Sequence, residues 1–198
     1  VSAFVERAIA EAGLDGVLEA RRNGALSETD VARLREADLL ALGALADRIR
    51  AQEVGHVVRI LTGDDPETGA EGLRIMPPPD RPALTGLELL REVAVARVTS
   101  PPGTRIRVDF DVCGLEVSQI ALGFGADELK GHIANKRGLP FAEGELAGVG
   151  KKSRLESAVV VKEREIAGFV RRAGREPEFV RGEAAVPAAP WAQSEEAR

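Results

Sequence analysis

The chain has 198 residues, with 27 Lys and Arg against 32 Asp and Glu, a net charge of −5, and 44% hydrophobic residues. That is the composition of a folded globular protein, and the acidic balance argues against a nucleic-acid partner, which needs concentrated positive charge. A single cysteine, Cys113, rules out an intramolecular disulfide, a thiolate zinc site and a multi-cysteine iron–sulfur cluster built from this chain alone. No run of 18 apolar residues exists, so no membrane span is expected, and the amino-terminal residues lack a signal-peptide pattern. A cytoplasmic protein is the expectation.

The first third reads as helical. Residues 3–12 place Phe4 and Ile9 among charges before Gly13, and a short helix over 15–22 ends at Asn23-Gly24. Ser27, with Asp30 three residues on, has the form of a shortened capping box. The run 28–52 carries Val31, Leu34, Leu39, Leu42, Leu45 and Ile49 on one helical face. At His56 the pattern changes: HVVRIL (56–61) is short and β-branched, and reads as a strand. A polar loop follows over 62–72, then a short strand LRIM (73–76), then PPPDRP (77–82), which is expected to be extended. Thr85 caps a helix predicted over 86–98, and SPPG (100–103) is a turn.

RIRVDFDV (105–112) alternates Ile106, Val108, Phe110 and Val112 against Arg105, Arg107, Asp109 and Asp111, and predicts a strand across its whole length. A helix is expected over 115–124, a last strand over 129–133, a glycine-rich loop over 138–152 and an amphipathic helix over 162–173. The tail from 182 to 198, rich in Ala, Pro and Glu, is expected to be disordered. Residues 1–181 are thus one α/β domain, with 1–54 its helical part and 55–181 its α/β part. Three or four parallel strands joined by helices are the economical arrangement.

Motif matches are few. GELAGVGKK (144–152) has Glu145 and Lys152 where a phosphate loop needs its first glycine and a Ser or Thr. Gly123-Phe124-Gly125 starts like a dinucleotide fingerprint but has Glu128 in place of the third glycine, and it follows a helix. Asp109 and Asp111 would share a strand face about 7 Å apart. The pair suits a metal or acid–base work, and equally suits the solvated face of a half-buried strand. Asp127 and Glu128 cluster near His132, which lies at the carboxyl end of a strand, where α/β folds gather ligands. His56 starts a strand, at the opposite end. Cys113 is either an exposed strand-end thiol or a buried inert one, the bland reading being the commoner.

Several segments taken together resemble a known family. ADLLALGALADRIR (37–50) followed by a strand is similar to the opening of the radical S-adenosylmethionine enzymes of the futalosine route to menaquinone. TGLELLREVAVARV (85–98), RIRVDFDV and GLEVSQIALGFGADELKG (114–131) resemble the last part of that family's barrel, with Phe-Gly-Ala-Asp (124–127) the most specific piece. EIAGFVRRAGREPEFVR (165–181) resembles its carboxyl-terminal helix and the segment beyond. These stretches cover roughly half the chain in the family's order.

The departures are as informative. The family follows its first strand with a three-cysteine loop that holds the cluster, whereas TGDDPETGAEG (62–72) has no cysteine, and the chain passes directly to the late-barrel segment. Where relatives carry a threonine after the glycine and then two glutamates, this chain has Gly131-His132 and Asn135-Lys136. The resemblance implies a shortened partial (β/α) barrel with an amino-terminal helical segment, without the radical chemistry and with no cofactor expected. It also implies an accessory or ligand-binding subunit, with Asp109, Asp111, Gln119, Asp127 and His132 as candidate ligand contacts. Open sheet edges imply a partner, either a second copy or a menaquinone-pathway enzyme. Two alternatives stand beside this reading. One is an enzyme of different chemistry using Asp109, Asp111 and His132 for metal or acid–base work; the other is a structural homo-oligomer.

Overall fold

A computed structural model describes residues 3–24, 26–62, 72–134 and 161–181. The helical part contains α1 (Ala3–Glu11), α2 (Asp15–Arg22), α3 (Glu28–Glu36) and α4 (Leu39–Glu53). The predicted run 28–52 is therefore two helices. Ala37 is extended at the break, and Asp38 caps α4 by accepting from the Ala41 N–H at 2.9 Å. An aspartate at this point favours a fresh helix start over continuation. The capping box at Ser27 forms as expected: Ser27 Oγ accepts from the Asp30 N–H at 3.2 Å, and Asp30 Oδ2 accepts from the Ser27 N–H at 3.0 Å.

The α/β part runs β1 (Val57–Thr62), β2 (Leu73–Met76), α5 (Gly86–Thr99), β3 (Arg105–Asp109), α6 (Phe110–Cys113) and α7 (Leu115–Ala121). A short 3₁₀ turn over Leu122–Phe124 leads to β4 (Glu128–Lys130) and β5 (Ile133–Ala134). The described chain then resumes with β6 (Val161–Lys162), α8 (Glu163–Arg172) and β7 (Glu176–Arg181). Five strands form one parallel sheet in the order β2-β3-β4-β1-β7, and β5 pairs with β6 in a separate parallel ribbon. β1 is interior, pairing with β4 (Arg59 opposite Glu128) and with β7 (Arg59 opposite Glu178). The architecture is α/β, with eight helices besides the 3₁₀ turn among the described residues. No helix among the described residues is long and apolar enough to cross a membrane.

Several boundaries differ from the sequence reading, each for a local reason. β3 stops at Asp109, whose side chain caps α6 by accepting from the Asp111 N–H at 2.9 Å. Asp111 and Val112 thus leave the strand, and the two aspartates do not share a strand face. The strand predicted at 129–133 breaks at Gly131, because His132 bonds outward to Asp111 and not across the sheet. Pro78–Arg81 forms a turn closed by Arg81 N–H on Pro78 O at 2.9 Å, where an extended run was expected. β7 was not separated from the segment after α8, and it adds the fifth strand. The loop expected over 138–152, the tail 182–198 and most of the loop 62–72 lie outside the described residues.

Alternation along the strands sorts the sheet into two faces. Val58, Ile60, Ile106, Val108 and Leu129 lie on one face and join Leu42, Leu45, Leu90 and Val93 of α4 and α5 in a single core. Arg59, Arg107 and Glu128 occupy the other. The helical part is bound into this unit as well as packed on it. Arg21 of α2 donates through Nη1 to Val98 O at 2.7 Å and to Ser100 O, capping the end of α5, and through Nη2 to Glu53 of α4 at 2.7 Å. A guanidinium at helix-terminal carbonyls satisfies groups that would otherwise be buried without partners.

Candidate functional site

All five strands of the main sheet point the same way, so one edge collects their carboxyl ends, where α/β proteins place ligands. Four polar or titratable side chains arrive there: Asp109 at the end of β3, Asp111 on α6, Lys130 at the end of β4 and His132 just past it. Asp109 and Lys130 are register partners and therefore project to the same side of the sheet.

The centre of this group is an aspartate–histidine pair. Asp111 Oδ2 lies 2.6 Å from His132 Nδ1 and also accepts from the His132 backbone N–H at 2.8 Å. An ionised carboxylate oxygen only accepts, so Nδ1 carries a proton, and in the neutral ring Nε2 then presents its lone pair. The His132 side chain keeps 70% of its surface exposed. Asp111 is itself placed by the Asp109 cap, and α6 is seated by Phe110, whose ring lies where a Cβ on Gly131 would be. Burial is the main influence on Asp109 and raises its carboxyl above the usual range, assisted by the like charge of Asp111 and opposed by Lys130.

Cys113 closes the same turn. Its thiol is half-buried, donates to Asp109 O at 2.9 Å and sits 3.2 Å from Ser118 Oγ. Burial pushes it above the ordinary thiol range, which favours the protonated thiol over the nucleophilic thiolate.

Two predicted residues do not join the group. Asp127 lies at the amino end of β4 and is buried; it accepts from Arg97 Nη2 and from the Ile106 N–H at 2.8 Å. Arg97 also donates to Gly125 O at 2.9 Å and Thr104 O at 2.6 Å, so the pair fastens α5 to the loops before β3 and β4. Burial raises the Asp127 carboxyl, against the pull of Arg97. Gln119 donates to Phe169 O at 3.2 Å and ties α7 to α8. His56 is at the amino end of β1, where its carbonyl accepts from the Glu176 N–H at 3.0 Å. Among the described residues no three His, Cys, Asp or Glu side chains gather as a metal-ligand set, so Asp109, Asp111 and His132 do not form one.

Sequence reasoning missed a charged row across the sheet. Glu128 is fully buried between Arg107 Nε at 2.5 Å and Arg59 Nη1 at 3.0 Å, with Arg105 Nη1 at 3.8 Å. Burial pushes its carboxyl up and the guanidiniums oppose it. The signal was available in the alternating Arg105 and Arg107. In a parallel sheet, whose faces are usually both covered, such residues are not a solvated surface. Lys130, likewise, was in the sequence beside His132 but carried no pattern of its own.

No family model matches this chain, and no match was found among curated proteins.

Proposed function

We propose that the chain is a cluster-less, shortened-barrel relative of the radical S-adenosylmethionine enzymes of the futalosine route, serving as a ligand-binding accessory subunit. The observation that supports this most is the pairing of β1 with β4. The resemblance treats these as the opening strand and a late strand of one barrel, and a closed barrel sets its first and last strands side by side. They lie adjacent, parallel and in register at Arg59 and Glu128. The parent chemistry does not fit the residues present. A cluster held by three thiolates cannot be built from one cysteine, and Cys113 is a half-buried thiol with its hydrogen committed to Asp109 O.

The ligand end in this reading is the carboxyl edge, with Asp109, Asp111, Lys130 and His132 as contacts, in place of the wider set that included Gln119 and Asp127. Isothermal titration of the full chain with futalosine-type nucleosides tests it, together with co-purification of pathway enzymes from the native cell. Saturable binding that His132→Gln weakens supports the reading; no binding and no co-purified enzyme would overturn it. The shortened-barrel geometry is tested separately by an experimental structure of the whole chain, in which an open flat sheet would count against it.

A further inference from the structure

We propose that Asp111 and His132 form a proton-transfer site: His132 Nε2 is a general base, for small ligands carrying an acidic proton, and Asp111 is its positioning residue. This rests on the carboxyl edge being the ligand end, and is independent of the kinship with any family.

Two observations carry it. The 2.6 Å contact from Asp111 Oδ2 to Nδ1 fixes the tautomer, so the free lone pair is on Nε2. The second bond from the same oxygen, to the His132 backbone N–H at 2.8 Å, fixes the residue as well as its ring. The carboxylate also stabilises the imidazolium that forms when Nε2 takes a proton, the role an aspartate has behind any histidine base. The arrangement is costly to explain as a tie alone. A backbone N–H to carboxylate bond already joins α6 to the end of β4, and the ring contact leaves most of the imidazole in solvent. Asp109 and Lys130, register partners at the ends of β3 and β4, give the same edge one further carboxyl group and one cation.

The probe is nitrobenzisoxazole, whose ring opening requires only a base. Nε2 takes the ring C–H proton, the C–H electron pair becomes part of the nitrile, and the N–O bond breaks with its pair going to the phenolate oxygen. The imidazolium then returns its proton to water, so no co-reactant is needed. The full chain should open the probe on the order of 10-fold faster per site than equimolar free imidazole. That is below the enhancement of enclosed sites because the ring is open to water. His132→Gln should remove the excess, His56→Gln should leave it unchanged, and Asp111→Asn should lower it several-fold. Nitrogen NMR of labelled histidine in the unmodified protein gives a second readout, in which His132 should carry its proton on Nδ1. A rate no greater than that of imidazole, an excess that survives His132→Gln, or a neutral His132 ring with its proton on Nε2 would each overturn the proposal. The failure of futalosine-type ligands to bind would leave it standing.

Discussion

The amino end of β4 carries Asp127, buried and bonded to Arg97 and to the Ile106 N–H; beyond the carboxyl end, Gly131 alone separates β4 from a histidine held by Asp111 at the surface. Both are aspartates paired with nitrogen bases, yet their surroundings give them different work. The buried pair has every Arg97 nitrogen engaged by a protein acceptor, and its energetic meaning is the cost of separating it. The exposed pair has little energy to contribute to folding, and leaves one nitrogen facing outward. One end of the sheet is built for stability and the other is available for chemistry, the division expected where parallel strands share a direction.

The largest expected effect comes from breaking the buried pair. Arg97→Met leaves the Asp127 carboxylate buried without its cation and should lower stability by about 3–5 kcal/mol, measured by urea denaturation. Adding Asp127→Asn should recover part of that loss, because the residual amide carries no charge to desolvate. A loss under about 1 kcal/mol for Arg97→Met would place the pair with ordinary surface bridges and end the contrast between the two ends.

Gly125→Ala tests the loop that delivers Asp127. Gly125 has φ +100°, and a Cβ there would lie 2.9 Å from Arg97 Cβ and 3.3 Å from Ala46 Cβ. Both strain and overlap act, and neither neighbour is the free end of a flexible chain. A loss of about 1–3 kcal/mol is expected from overpacking alone, with the backbone conformation adding to it.

The next effect is smaller in folding energy. Asp111→Asn should change stability by less than about 1 kcal/mol, since His132 is mostly solvated and the amide oxygen still accepts from its N–H. The same variant should alter the tautomer balance of His132 in nitrogen NMR. A stability loss as large as that of Arg97→Met would make Asp111 a structural residue and remove the distinction.

The sequence revealed this division unevenly. The caps at Ser27 and Thr85 and the alternation over 105–109 were legible because each is set within a few residues. The end of β3 was not. Phe110 and Val112 continue the alternation, and only the side-chain cap from Asp109 to the Asp111 N–H turns the chain into α6. Asp111 and His132 were both chosen as candidates, but their meeting depends on β3 and β4 pairing in register, a contact 21 residues apart in the chain. Asp127 was chosen for its closeness in sequence to His132, but β4 runs between them, which puts the two at opposite ends of the strand. Burial of Arg107 and Glu128 was foreshadowed only by the alternating arginines together with the rule that a parallel sheet is covered on both faces.

Asp109 offers the finest test, because it belongs to the exposed end but is itself half-buried. Burial raises its folded carboxyl above the unfolded value. Between those two values the native state holds more protons than the unfolded chain, so stability from this group falls as pH rises through the window. The penalty is absent below the unfolded value, near pH 4, and complete once the folded carboxyl has ionised. Asp109→Asn removes the titration while keeping an oxygen to accept from the Asp111 N–H. The variant should therefore gain on the unmodified protein as pH rises from about 4 to 7, by under about 1 kcal/mol because solvent screens the site. Urea midpoints across that range provide the measurement. A difference that is flat with pH would mean that Asp109 is as well solvated as any surface carboxylate. A difference of opposite slope would mean that Lys130 outweighs burial, and the carboxyl edge would then hold a structural ion pair like the one at the amino end.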